Sequence, residues 1–249
     1  IHADAAVTIN GGDINITDSY EGIESGVITL NGGTVHLISS DDGVNVSSGN
    51  GGMMMGGQVT ATDYVLNING GYLYMDANGD GLDSNGAIEM TGGVVVVNGP
   101  TEQMNGSVDY DAWFTMTGGW LVTAGSSGMA EAPDTSSTQA SVLINFTAMQ
   151  AAGTLINLAS SEGTNVLTFA PTKQYQSITF SSPELTQGAT YTVSLGGSAD
   201  GTATDGVYSG GSYSGGMEYG SFTVSSVVTM LGNAGGFGGG RGGRGGGRP

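Results

Sequence analysis

The chain contains no cysteine and almost no basic residues. Without cysteine there is no disulfide framework, no thiol nucleophile and no zinc–thiolate site. Lys and Arg number four against 22 Asp and Glu, a formal net charge of -18, and the four basic residues all lie late, at Lys173, Arg241, Arg244 and Arg248. That balance argues against nucleic acid as a partner, because phosphate repels carboxylate. It argues against anionic membrane surfaces for the same reason. Proline is scarce at 5 residues, and the 48 glycines follow no three-residue period, so the chain is not collagen-like. No run of about 20 apolar residues occurs, so membrane insertion is not expected. Charged residues are only 10% of the chain, yet the 38% that are hydrophobic recur regularly, which predicts a packed core. The missing cysteine and the acidity together fit an extracellular protein that attracts multivalent cations.

What is present is a repeat. A bend of Asn or Thr followed by two glycines occurs at Asn10-Gly11-Gly12, Asn31-Gly32-Gly33, Asn69-Gly70-Gly71, Thr91-Gly92-Gly93 and Thr117-Gly118-Gly119. The bends are 21, 38, 22 and 26 residues apart, and the long interval holds a glycine-methionine insertion from Gly49 to Gly57. Short alternating runs flank each bend, such as Val7/Ile9 before and Ile14/Ile16 after the first. Alternation at period two marks half-buried strands. Two strands and a corner in 20-odd residues leave no room for a crossover helix. The pattern suits stacked turns of a parallel β-helix, in which like residues form columns and Asn10, Asn31 and Asn69 form an amide ladder.

From Ser141 the register is lost, and short segments read as antiparallel strands. The expected organisation is an all-β chain: parallel β-helix over 1–140, a small antiparallel β module over 141–231 that packs on the helix and caps one end, and a Gly/Arg-rich tail over 232–249. The chain begins inside a repeat unit, which predicts further sequence upstream.

Aligned on the bends, Ile1, Ile23, Val44, Leu82 and Val108 point inward. Their successors His2, Glu24, Asn45, Asp83 and Asp109 then stack outward at about 4.8 Å per turn. Glu21, Asp41, Asp42, Asp76 and Asp80 lie beside them, and the segment Asp76-Ala77-Asn78-Gly79-Asp80-Gly81-Leu82-Asp83 offers oxygen ligands at alternate positions. Stacked carboxylates repel one another unless a hard cation with several oxygen ligands neutralises them. The candidate calcium ligands are therefore Glu21, Glu24, Asp41, Asp42, Asn45, Asp76, Asn78, Asp80, Asp83 and Asp109. The alternative is a solvated acidic face.

The stretches Ser19-Tyr20-Glu21-Gly22-Ile23-Glu24, Ser40-Asp41-Asp42-Gly43-Val44-Asn45, Gly79-Asp80-Gly81-Leu82-Asp83-Ser84 and Gly125-Ser126-Ser127-Gly128-Met129-Ala130 resemble a family of bacterial extracellular carbohydrate-binding proteins. The resemblance covers nearly the whole chain up to about Val228. It implies a right-handed β-helix like that of pectate lyases, bound calcium, and binding of cellulose and acidic polysaccharides such as polygalacturonate. The Gly-Met insertion and the Gly/Arg tail fall outside what the resemblance addresses.

Three functions compete. Lyase chemistry needs calcium and a basic side chain, and residues 1–172 hold no Lys or Arg, leaving His2 and His36. Asp41 and Asp42 are reminiscent of the paired acids of polysaccharide hydrolases, but the accompanying basic motifs are missing. The expectation is a protein that is not an enzyme. Outward positions after the later bends carry Tyr72, Tyr74 and Trp120, flat aromatics on which a sugar ring stacks. Either they form an open carbohydrate-binding stripe or the C-terminal module covers them. The third reading is a filament or matrix subunit in which Ile1, Val7, Ile9, Ile14 and Ile16 of the first turn meet the tail of another copy, with Arg241, Arg244 and Arg248 docking on its carboxylates.

Overall fold

The computed structural model describes residues 1–47 and 63–232. The Gly-Met insertion and nearly all of the Gly/Arg tail, including Arg241, Arg244 and Arg248, lie outside the described residues. The described chain is all-β, and no helix in it is long and apolar enough to cross a membrane.

The first part runs through β1 (His2–Ile9), β2 (Asp13–Ile16), β3 (Ile23–Leu30), β4 (Thr34–Ser39), β5 (Val44–Val46), β6 (Val65–Ile68), β7 (Tyr72–Ala77), β8 (Leu82–Ser84), β9 (Ala87–Met90), β10 (Val94–Asn98), β11 (Val108–Tyr110), β12 (Trp113–Met116) and β13 (Trp120–Gly125). These strands pair with one another in parallel. β3 is long enough to serve two neighbours on one edge: Ile23 and Glu24 pair with β5, and Val27–Leu30 pair with β6. The seven strands β11-β8-β5-β3-β6-β9-β12 thus form one nearly closed parallel sheet, with β1 on the other edge of β3. The strands after the bends, β2-β4-β7-β10-β13, form a second parallel sheet.

The Gly-Gly bends are required by the backbone. The second glycine of each, Gly12, Gly33, Gly71, Gly93 and Gly119, has φ between +82° and +99°, a region that costs any residue with a Cβ. From the second bend onward the first glycine lies against the preceding layer, where a Cβ on Gly92 would sit 2.5 Å from the Asn69 carbonyl oxygen. On the outside of the corner, Asn31 Nδ2 donates to Asn10 Oδ1 at 2.8 Å, Asn69 Nδ2 to Asn31 Oδ1 at 2.9 Å, and Thr91 Oγ1 to Asn69 Oδ1 at 3.0 Å. Inside, Ile9, Leu30, Ile68, Met90 and Met116 share one register position and are buried in the first core.

The second part comprises β14 (Ser141–Gln150), β15 (Ile156–Ser160), β16 (Asn165–Phe169), β17 (Tyr175–Ser181), β18 (Thr190–Leu195), β19 (Ser198–Ala199), β20 (Thr202–Thr204), β21 (Val207–Ser209), β22 (Tyr213–Ser214), β23 (Met217–Thr223) and β24 (Val228–Leu231). It is not wholly antiparallel, because β14 and β24 pair in parallel. Nor is it set apart from the repeats. β17 pairs antiparallel with both β13 and β14, so β17, β14 and β24 continue the second sheet and cover the edge of its last repeat strand. A six-stranded sheet, β20-β21-β16-β15-β18-β23, belongs to a second core that also takes in the outer face of β10 and β13. The run Val94–Val97 reflects this. Val95 and Val97 face the first core and Val96 the second, so the strand is apolar without alternation.

Candidate metal centre

The register builds the carboxylate column directly. His2 pairs with Glu24, Glu24 with Asn45, Asn45 with Asp83 and Asp83 with Asp109. Their neighbours Ile23, Val44, Leu82 and Val108 are buried in the first core, so the column faces outward.

The column is not uniform. At one end the polar groups satisfy one another. His2 Nδ1 lies 2.7 Å from Glu24 Oε2, and hydrogen bonds accepted by Glu24 and then Asp4 raise the imidazole above its usual range. Asn45 Nδ2 donates to Glu21 Oε1 at 2.9 Å. Glu21 is pushed up chiefly by burial, with Glu24 and Asp42 adding repulsion. Its Oε2 and Asn45 Oδ1 are buried without a protein donor.

At the other end carboxylates converge. Asp80, Asp83 and Asp109 each offer an oxygen, and these oxygens all lie within 4.8 Å of one another. Burial first, then the charges of Asp42, Asp80, Asp109 and Asp111, push Asp83 up to about 8. Asp80 reaches about 7, again by burial first, although the Gly106 N–H donates to its Oδ1 at 2.6 Å and opposes the shift. Asp42 is raised by burial and accepts from the Asp80 N–H at 2.7 Å. Gly79 is pressed against this group, since a Cβ there would lie 2.4 Å from Asp42 Oδ1 and 2.6 Å from Asp41 Oδ1. An all-oxygen donor set gathered at this density suits a hard divalent cation, and calcium best among them because it accepts irregular geometry.

The structure does not bring the whole expected ligand set together. Asp76 and Asn78 do not join the cluster. Lys173 Nζ lies 2.6 Å from Asp76 Oδ1 and donates to the Ala77 carbonyl at 2.6 Å and Asn78 Oδ1 at 2.9 Å. Asp76 belongs to β7 in the second sheet, whereas Asp83 belongs to β8 in the first, so the bend between them divides the apparent loop. Glu24 is likewise engaged by His2. Asp41 accepts a hydrogen bond from the Tyr20 hydroxyl.

Glu131 was not foreseen. Burial first, then Asp109, Asp80 and Asp111, push it up to about 7, and its Oε2 is buried without a donor. Its segment follows β11 and β12 as one more irregular layer, with Asp134 N–H donating to the Phe114 carbonyl at 2.8 Å and Thr138 N–H to the Met116 carbonyl at 3.0 Å. The available signal was spacing, because Glu131 stands 22 residues after Asp109.

The aromatic stripe is partly covered. Tyr72, Tyr74 and Trp120 are partly buried against the second core. Tyr72 donates to Asp205 Oδ2 at 2.6 Å, and the same oxygen lies 2.9 Å from His36 Nε2. His36 is therefore held by a partner from the turn between β20 and β21. Trp120 packs edge-to-face on Phe180 with centroids 5.4 Å apart. Of the first-turn apolar residues, Ile9 is buried, Val7, Ile14 and Ile16 pack partly buried on the first core, and Ile1 is exposed.

No family model, no curated protein and no solved structure matches the chain.

Proposed function

We propose that this chain is a non-catalytic, extracellular, calcium-stabilised module whose parallel strands wind as a right-handed β-helix and which binds polysaccharide along its acidic column. The observation that carries the reading is the convergence of Asp80, Asp83 and Asp109, with Asp42 and Glu131 beside them. Calcium held there would neutralise carboxylates that otherwise repel, and would offer positions to the carboxylates of an acidic glycan. The likeness of the sequence to an extracellular carbohydrate-binding family supports the same reading. Connections between parallel strands are right-handed in nearly all proteins, which supports the handedness.

A non-catalytic role is supported by the fate of the bases. Among the described residues Lys173 is paired with Asp76, His36 with Asp205, and His2 with Glu24. None faces the carboxylate cluster as a proton acceptor for elimination chemistry.

The test is affinity electrophoresis through gels containing polygalacturonate, with calcium and with chelator. Calcium should retard the wild-type protein, and Asp83→Asn should abolish the retardation without loss of fold. Equal mobility in calcium and chelator would overturn the reading, as would release of unsaturated sugars from the polymer.

A further inference from the structure

A groove of about 450 Å3 lies between the second parallel sheet and the six-stranded sheet, away from the carboxylate column. Trp120 lines it on one side, and β16 and β21 with the residues after it line the others. The indole is fixed by its edge-to-face contact with Phe180, which lowers the entropic cost of stacking a ligand on it. Around it are groups with unused hydrogen-bonding capacity. Asn157 Nδ2 donates to Asn165 Oδ1 at 3.1 Å and to Thr168 Oγ1 at 2.8 Å. The exposed Asn165 is thereby oriented, leaving its amide N–H groups to donate to a ligand. Tyr208 and Ser212 add further hydroxyls.

Charge decides the ligand class. Among the described residues no Lys, Arg or His lines the groove, and the only carboxylate is Glu184. A uronate or phosphate group would enter against that charge and the field of a chain with net charge -18. An uncharged ring with hydroxyls at its rim and apolar C–H groups on its face meets no such barrier. The volume falls at the small end of the roughly 300–1,000 Å3 of ligand sites, room for one or two rings, and a concave groove cannot lie against a flat polymer surface.

We propose that this groove binds the end of a short, soluble, uncharged oligosaccharide, stacked on Trp120 and independent of metal. The inference rests on the carbohydrate-binding reading but places a second site of different charge preference on a different sheet. Of the three aromatics expected to stack on sugar, Tyr72, Tyr74 and Trp120, only Trp120 lines it.

The chain has two tryptophans, Trp113 and Trp120, so Trp113→Phe leaves Trp120 as the sole indole reporter. Neutral gluco-, manno- and galacto-oligosaccharides of two to four rings are titrated in chelator, beside the corresponding oligouronates. At least one neutral series should shift the Trp120 emission saturably, with uronates weaker by about tenfold or more and added calcium without effect. Tyr208→Ala, at the rim, should weaken binding by about tenfold while leaving the thermal melt in place; Trp120→Ala should do the same if it folds. No binding by any neutral series at millimolar concentration, unchanged affinity in Tyr208→Ala, or a requirement for calcium would each overturn the proposal. Retention of Tyr208→Ala on polygalacturonate with calcium separates the two sites: its loss alone sinks the column, and loss of oligosaccharide binding alone confirms the groove.

Discussion

The ammonium of Lys173 stands 2.6 Å from Asp76 Oδ1 and reaches the Ala77 carbonyl and the Asn78 side chain, 95 to 97 positions earlier in the chain. Thr172 reinforces the contact, its hydroxyl donating to Asp76 Oδ2 at 3.2 Å. The only Lys or Arg among the described residues therefore serves as an internal cation for an oxygen-lined corner of β7, and ties the second part of the chain to the repeats. Both side chains are mostly buried.

Lys173→Met should accordingly destabilise the fold by roughly 1.5–3 kcal/mol, the range for hydrogen bonds to a charged group whose partner is left buried. Urea denaturation measures it. A stability within error of wild type would show that water replaces the ammonium at no cost and that the corner is not a tie point.

The carboxylate cluster gives the stability a pH dependence of definite sign. Asp83 is held near 8, and Asp80 and Glu131 near 7, each by burial first and by neighbouring carboxylates second. Unfolded, all three would titrate at about 4. Between those limits the unfolded chain has released protons that the fold retains, so unfolding releases protons and rising pH favours it. Their contribution is fully present below about pH 4 and is lost as pH rises through 7 to 8. Melting temperature in chelator should fall over that interval, and calcium should suppress the fall by binding the ionised, folded form. Asp83→Asn should flatten the slope in chelator. An unchanged slope in that variant would assign the effect to the overall negative charge instead.

The repeat made much of this legible. Only glycine fits the second position of each bend, and side chains alternate across a strand, so aligning the bends placed Glu24, Asn45, Asp83 and Asp109 in one column without knowledge of the structure. What periodicity does not encode is contact between a repeat and a segment that does not repeat. Lys173, Asp205 and Glu131 all come from such segments. Each bears on residues that the repeat had placed: Lys173 engages Asp76 and Asn78, Asp205 engages Tyr72 and His36, and Glu131 adds a buried carboxyl close enough to feel Asp80 and Asp109. The covering of Tyr72 and Tyr74 had one local sign, the unbroken Val94–Val97 run, which marks a strand buried on both faces.

Asp205 offers the sharpest separation of backbone from side-chain effects. Among the described residues it alone, other than glycines, has positive φ, at 50°. Its carboxylate holds Tyr72 and His36 across the interface between the β20–β21 turn and the second sheet. Left-handed backbone costs an ordinary L-residue about 1–2 kcal/mol, glycine nearly nothing, and Asn little because its short polar side chain tolerates the region. Asp205→Ala should therefore lose both contacts and add backbone strain. Asp205→Gly should lose the contacts and relieve the strain. Asp205→Asn should keep the backbone fit and one acceptor for the Tyr72 hydroxyl. The expected order of stability is wild type, then Asn, then Gly, then Ala, with Gly and Ala about 1 kcal/mol apart. Chemical denaturation of the three variants reads the order. Ala at or above Gly would show that the turn relaxes to negative φ once the carboxylate is gone, and that the side-chain contacts, rather than the fold of the turn, impose the conformation.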